Sequence, residues 1–330
     1  MLKILVERSS LRCLRSNASC GDNDDGIVVN KNGASATNLN HETSDITQRR
    51  LPNNKVFMSG PWPPYEVMET NRRIDPAMNF LYFSDAEMAK SVKEISEILI
   101  DTEGINGVFE AWSMLRPWAF RADLWRYMIL WKDGGTYLDS KVVLSEPLST
   151  WTSLSNDENI SICKDKDLYV MSKSTQRGFP FLWNGAMSAK KGSPILLSAI
   201  RLCVQNIQSR SYKLADAKNF GHHAVGITGP MLLGYAVAVE ANCAECVRLS
   251  CKFGTGFGRQ GRYSYLLSDD GRNVTKKEIF GIDVEEHKKI KNNSDYWKLY
   301  TTRQVYCDDP KNEHTPIPDD SCGNVSSLLL

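Results

Sequence analysis

The residues able to do chemistry crowd into one block, Arg121 to Lys141, which reads RADLWRYMILWKDGGTYLDSK. Asp123 and Arg126 are three residues apart, so on a helix their side chains share a face. Leu124, Met128, Ile129 and Trp131 cover much of the remaining surface and predict that this helix is buried. An acid and a base on such a helix need partners, each other or a polar ligand, because an unpaired charge away from water is costly. Gly134-Gly135 then turns the chain sharply into a short strand that ends in Asp139. Open α/β sheets bind ligands at the carboxyl ends of their strands, which is where Asp139 falls. A structural Asp–Arg ion pair and a ligand site both fit these features.

The elements that must position this block can be read on either side of it. Lys55-Val-Phe-Met58 predicts a strand broken by Pro61-Trp-Pro-Pro64, and Met78 to Phe83 predicts a second. Ser84 with Glu87 three residues on is a capping box, opening a helix with Met88, Val92, Ile95 and Leu99 on one face. Val108, Phe109, Trp112 and Leu115 form another amphipathic stretch that Pro117 ends. The third helix, Arg121 to Lys132, stops at Asp133-Gly134-Gly135 in the manner of a glycine C-cap, and β-rich Thr136–Asp139 and Lys141–Leu144 follow. Phe181 to Ala189 predicts a strand, Ser193-Pro194 an N-cap with proline at N1, and Gly229-Pro230 another helix start. After Cys243, short β-like runs alternate with turns, and Tyr296–Tyr300 and Arg303–Tyr306 look buried. Strands alternating with helices indicate an α/β fold whose central sheet is largely parallel and flanked by helices. Residues 1–50 read as a disordered or targeting leader, 51–307 as the folded domain and 308–330 as a flexible tail.

Composition narrows the function classes. The chain has 330 residues and a formal net charge of +1, so no global field favours nucleic acid or an anionic membrane. No apolar run reaches the length of a membrane span. Cys243, Cys246 and Cys251 make a CxxC with a third thiol nearby, yet a fourth zinc ligand is missing, which favours disulfides or buried thiols. Sequons at Asn17, Asn159, Asn273, Asn292 and Asn324 permit a secretory reading. His222-His223 allows a metal or acid/base role beside an ordinary loop pair, and Asp269-Asp270-Gly271 a late site carboxylate beside a plain turn. Trp62, Trp112 and Trp118 are either stacking partners for a ligand or core residues.

The stretch RADLWRYMILWKDGGTYLDSKVVL resembles the signature of the DXD-containing glycosyltransferases of family 32, which runs R-x-D-x-x-R-Y, a helix, G-G, then Y-x-D-x-D. That family includes α-1,6-mannosyltransferases and α-1,4-galactosyltransferase-like enzymes. Trp183-Asn184-Gly-Ala-Met-Ser-Ala and Ile227-Thr-Gly-Pro230 resemble two later family stretches. The resemblance implies a GT-A type fold and transfer of a hexose from a nucleoside diphosphate sugar, with retention at the anomeric carbon. It places Asp123, Arg126 and Asn184 at the sugar and its phosphate, and Arg121, Gly135, Tyr137, Asp139 and Lys141 along the donor. Arginine suits that role because its planar fork donates paired hydrogen bonds to phosphate. The acceptor would be a glycan, lipid or protein hydroxyl, and family habit points to the Golgi or secretory pathway.

Lys141 departs from the pattern, since the family carries a second Asp there to bind manganese or magnesium. An ammonium cannot coordinate a cation, which leaves Asp139 as the remaining metal ligand of the motif. Two readings follow. Lys141 neutralises the diphosphate itself, or the chain is a non-catalytic nucleotide-sugar- or glycan-binding module that has kept the fold. Lys141 on the opposite face from Asp139 is disfavoured by their spacing of two, if both lie on one strand.

Overall fold

The Lys55–Met58 run forms β1 (Lys55–Ser59) in a computed structural model of the chain. That structure describes residues 49–174, 176, 178–213, 224–239, 246–254, 263–267, 274–293, 296–310 and 322. After β1 come α1 (Tyr65–Ile74), β2 (Asn79–Phe83), α2 (Asp85–Glu103), α3 (Val108–Met114) and α4 (Trp118–Asp133). β3 (Gly135–Leu138), β4 (Val142–Leu144), α5 (Ser149–Thr152), β5 (Ile160–Met171), β6 (Gly178–Ala189) and α6 (Pro194–Gln208) follow. The chain closes with α7 (Pro230–Val239), β7 (Val247–Gly254), β8 (Tyr263–Leu267), β9 (Val274–Ile282), α8 (Val284–Asn293) and α9 (Tyr296–Thr301). Asp45–Leu330 make one compact unit.

Local signals explain the helices next to the block. Ser84 and Glu87 form both arms of the capping box, and Met88, Val92, Ile95 and Leu99 are all buried. α4 begins three residues before the expected start, because Pro117 is the last extended residue and leaves Trp118 free to enter the helix. At its other end Gly134 (φ +67°) donates its N–H to the Leu130 carbonyl at 2.8 Å. Both glycines are needed. A Cβ on Gly134 would lie 2.8 Å from the Lys191 nitrogen, and one on Gly135 (φ +106°) 2.8 Å from the Lys55 carbonyl oxygen.

The strands lie in the order β2-β1-β3-β6-β5-β7-β8-β9-β4. The α/β class holds, with helices against the sheet. β2, β1 and β3 pair in parallel, as do β5 and β7. β5–β6 and β8–β9 run antiparallel, as expected of strands joined by short connections. β3·β6, β7·β8 and β4·β9 are antiparallel too. β4 ends the strand order yet follows β3 after only Asp139-Ser140-Lys141. So short a link spans roughly 14 Å at most, so the far edge of the sheet must curl back to β3. Asn71 on α1 holds β4 in place, donating to the Val142 carbonyl and accepting from the Leu144 N–H, both at 2.8 Å.

The sheet separates two cores by the alternation of strand side chains. Phe57 and Tyr137 face the α2–α4–α6–α7 side, whereas Val56, Met58 and Leu138 face Met68, Trp151 and Phe280. Cys251 is disulfide-bonded to Cys163 across β5 and β7, and Cys246 is disulfide-bonded as well. That removes Cys251 as a zinc ligand. Cys243, His222-His223 and Asp269-Asp270 lie outside the described residues.

Candidate functional site

The carboxyl end of β3 and one face of α4 meet through a single guanidinium. Arg126 lies 3.3 Å from Asp123 Oδ1 on its own helix and 3.3 Å from Asp139 Oδ1 at the strand end. It is fixed from three further directions. Nη1 donates to the Asn184 carbonyl at 2.8 Å, Nε to the Ala122 carbonyl at 3.2 Å, and Cζ sits 4.3 Å from the centre of the Tyr137 ring. Burial works against its charge, but Tyr137, Asp139 and Asp123 together hold its pKa above the usual arginine value.

Asp123 is also held by residues far away in sequence. Asn184 on β6 donates to its Oδ1 at 2.9 Å, and Thr228 Oγ1 to its Oδ2 at 2.9 Å. The Tyr127 hydroxyl accepts from Asn184 and donates to the Thr228 carbonyl, both at 2.8 Å, closing a ring of polar contacts. Burial pushes the Asp123 carboxyl above its ordinary pKa even though Arg126, Thr228 and Asn184 pull the other way.

Asp139 behaves in the opposite sense. Burial would raise it too, but Lys141 and Arg126 outweigh burial and hold it below the ordinary carboxylate range. Lys141 Nζ is 2.7 Å from its Oδ2, and the Tyr137 hydroxyl donates to its Oδ1 at 3.0 Å. Asp139 and Lys141 do not share a strand. They flank a turn closed by Val142 N–H donating to the Asp139 carbonyl at 2.9 Å, and this turn, not the pleat, brings them together. A Cβ at Gly185 would lie 2.7 Å from Asp139 Oδ2, so a glycine leaves room for that carboxylate.

Asp123, Arg126, Tyr137, Asp139, Lys141 and Asn184 are therefore one connected cluster. Side-chain exposure rises from 7% at Arg126, through 14% at Asp123 and 15% at Asp139, to 20% at Lys141. Lys141 is thus the most exposed side chain of the cluster. Two residues expected beside them lie elsewhere. Arg121 is fully buried, with its Cζ 5.0 Å from the Trp112 ring centre and 4.6 Å from that of Trp118, donating to the Leu115 and Ser113 carbonyls. Gly135 starts β3, at the opposite end from Asp139. Trp112 and Trp118 thus serve the core around Arg121, and Trp62 Nε1 donates to Glu286 at 2.8 Å. Sequence reasoning left out Tyr127, Thr228 and Gly185. Thr228 sits in the Thr-Gly-Pro turn and Tyr127 directly follows Arg126, so both stood inside recognised motifs.

A cluster with hydroxyl-binding oxygens on Asp123 and fixed cations beside Asp139 can hold a polyol at one end and an anion at the other. A divalent cation fits it poorly. Manganese and magnesium take several oxygen ligands, whereas the strand end offers one carboxylate with an ammonium on one oxygen and a guanidinium and a phenol on the other. Among the described residues, no three His, Cys, Asp or Glu side chains gather around a common point.

Residues 50–160, about a third of the chain, match the family model described as "Glycosyltransferase sugar-binding region containing DXD motif". The chain is similar to the solved structure titled "PaToxG Glycosyltransferase" at 16% identity, covering 58% of this chain and 70% of that one, with a TM-score of 0.36. It is also similar to "Crystal structure of the ligand-free glycosyltransferase domain from the YGT toxin" at 10% identity, covering 61% and 80%, with a TM-score of 0.35. No curated protein matches. The stretch that carries Asp123, Arg126, Asp139 and Lys141 lies wholly within the residues that this glycosyltransferase model matches.

Proposed function

We propose that the chain transfers a hexose from a nucleoside diphosphate sugar to a hydroxyl of a glycan, lipid or protein, with retention of anomeric configuration, as family-32 enzymes do. The observation that carries this reading is the Arg126 guanidinium, within 3.3 Å of both Asp123 and Asp139. It joins the face suited to a sugar to the strand end suited to a diphosphate. Asp123 and Asn184 would orient the hexose, and the fixed cations would take up charge as the diphosphate leaves; both effects are positioning and preorganised electrostatics. The disulfides Cys163–Cys251 and Cys307–Cys322 favour an oxidising compartment and support the Golgi or secretory pathway as its place of work.

A screen of UDP- and GDP-sugars for hydrolysis tests the proposal, with Asp139→Ala as control. Turnover of one donor by the wild type and none by the variant is expected; equal turnover by both would sink the assignment. The Lys141–Asp139 ion pair favours one rival, a module that binds the donor without turning it over. Saturable binding of a sugar nucleotide with no hydrolysis or transfer would select it.

A further inference from the structure

We propose that Lys141 stands in for the divalent cation of DXD-type sites, so that donor binding and departure of the diphosphate need no metal. This inference rests on the glycosyltransferase reading and deepens it. The first support is charge. Asp123 and Asp139 carry two negative charges and Arg126 and Lys141 two positive ones, which makes the cluster neutral. An aspartate at position 141 would turn one of those positive charges negative, a change of two, and a bound divalent cation would restore it. Lysine without metal and aspartate with metal therefore present the same net charge to the donor.

The second support is geometry. One N–H of the Lys141 ammonium is engaged by Asp139 Oδ2 at 2.7 Å, and an ammonium has three donors. Two remain for phosphate oxygens, on the side chain of the cluster most open to solvent. The turn beneath it is pinned: Asp139 N–H donates to the Gly185 carbonyl and Asp283 N–H to the Lys141 carbonyl, both at 2.8 Å. The ammonium is thus held in place before the reaction, as electrostatic stabilisation requires.

In the reaction the bond from the anomeric carbon to the diphosphate oxygen breaks, and its electron pair stays on that oxygen. The added negative charge falls between Lys141 and Arg126. The acceptor hydroxyl oxygen bonds to the anomeric carbon, and its proton passes to the released diphosphate.

Calorimetric titration of UDP and of GDP into the full chain, in EDTA and in manganese, tests the proposal. The wild type should bind one of them with the same affinity in both conditions. Lys141→Ala should lose about tenfold or more, and Lys141→Arg should keep most of the affinity. Lys141→Asp should bind weakly in EDTA and recover when manganese is added. Thermal melts of the variants within a few degrees of wild type show that they are folded. Wild-type binding that appears only with manganese, or wild-type affinity in Lys141→Ala, overturns the inference and leaves the glycosyltransferase reading intact. Failure of both nucleotides to bind in either condition overturns both.

Discussion

Replacing Arg126 with methionine should cost the fold about 3–5 kcal/mol, the usual result of removing one partner from a buried ion pair. The side chain is 7% exposed, and its loss strands Asp123 with Asn184 and Thr228 alone while Asp139 keeps Lys141. It also removes two hydrogen bonds to backbone carbonyls, at Ala122 and Asn184. For a unit the size of Asp45–Leu330, unfolding entropy is about 0.6 kcal/mol/K, so Tm should fall by about 5–8 °C. The deficit should depend on pH with a definite sign. Asp123 already has its pKa raised by burial against the pull of Arg126, and without that pull it rises further. A raised folded pKa penalises the charged form at high pH and spares the protonated one. Asp139, held low in the wild type, contributes stability above its unfolded pKa that is lost as pH falls through its folded value, and Arg126 is part of the cause. The Asp123 effect makes the gap between variant and wild type largest near neutrality and smaller in mild acid, and the Asp139 effect narrows it further only below the ordinary carboxylate value. Urea unfolding followed by tryptophan fluorescence, at about pH 7.5 and about pH 4.5, measures it. A loss under about 1 kcal/mol at neutrality, or a gap that widens in acid, would refute the bridging role of Arg126.

Two other changes probe the frame of the site. Gly135→Ala places a Cβ 2.6 Å from Asn53 Oδ1 and 2.8 Å from the Lys55 carbonyl oxygen at φ +106°; it should destabilise by about 2–4 kcal/mol, read as a drop in urea midpoint. Asp85, pushed up to about 6 by burial with Arg121 only partly offsetting it, should make Asp85→Asn more stable than wild type by about 1–2 kcal/mol near neutrality, after discounting for partial exposure. That gain should grow between the unfolded carboxylate value and about pH 6 and level off above it; a constant gain down to about pH 3 would show that the charge is not its source.

The site was legible where local rules decide the outcome. Ser84 with Glu87 fixes where α2 begins and Gly134-Gly135 where α4 ends, and the three-residue spacing sets Asp123 and Arg126 on one face ahead of Asp139, although α4 begins three residues before the expected Arg121. What escaped depended on distant partners. The contact of Asn184 with Asp123 spans 61 residues and that of Thr228 with Asp123 spans 105, and no periodicity encodes either. Arg121 looks like a second ligand arginine from its motif position, but the indoles of Trp112 and Trp118 and two carbonyls claim it. α1 was not expected from the sequence, although Val67, Met68 and Asn71 form its buried face and Glu66, Glu69, Arg72 and Arg73 its exposed one. The Cys163–Cys251 bond, 88 residues apart, follows from strand pairing that thiol spacing does not reveal.

The central claim is spatial, and a crystal structure of the chain with a hydrolysis-resistant sugar nucleotide tests it most directly. The account predicts the diphosphate against Lys141 and Arg126, with the hexose hydroxyls on Asp123 and Asn184. A nucleotide bound elsewhere, with Lys141 still closed on Asp139 and no phosphate within hydrogen-bond reach of either cation, would contradict it.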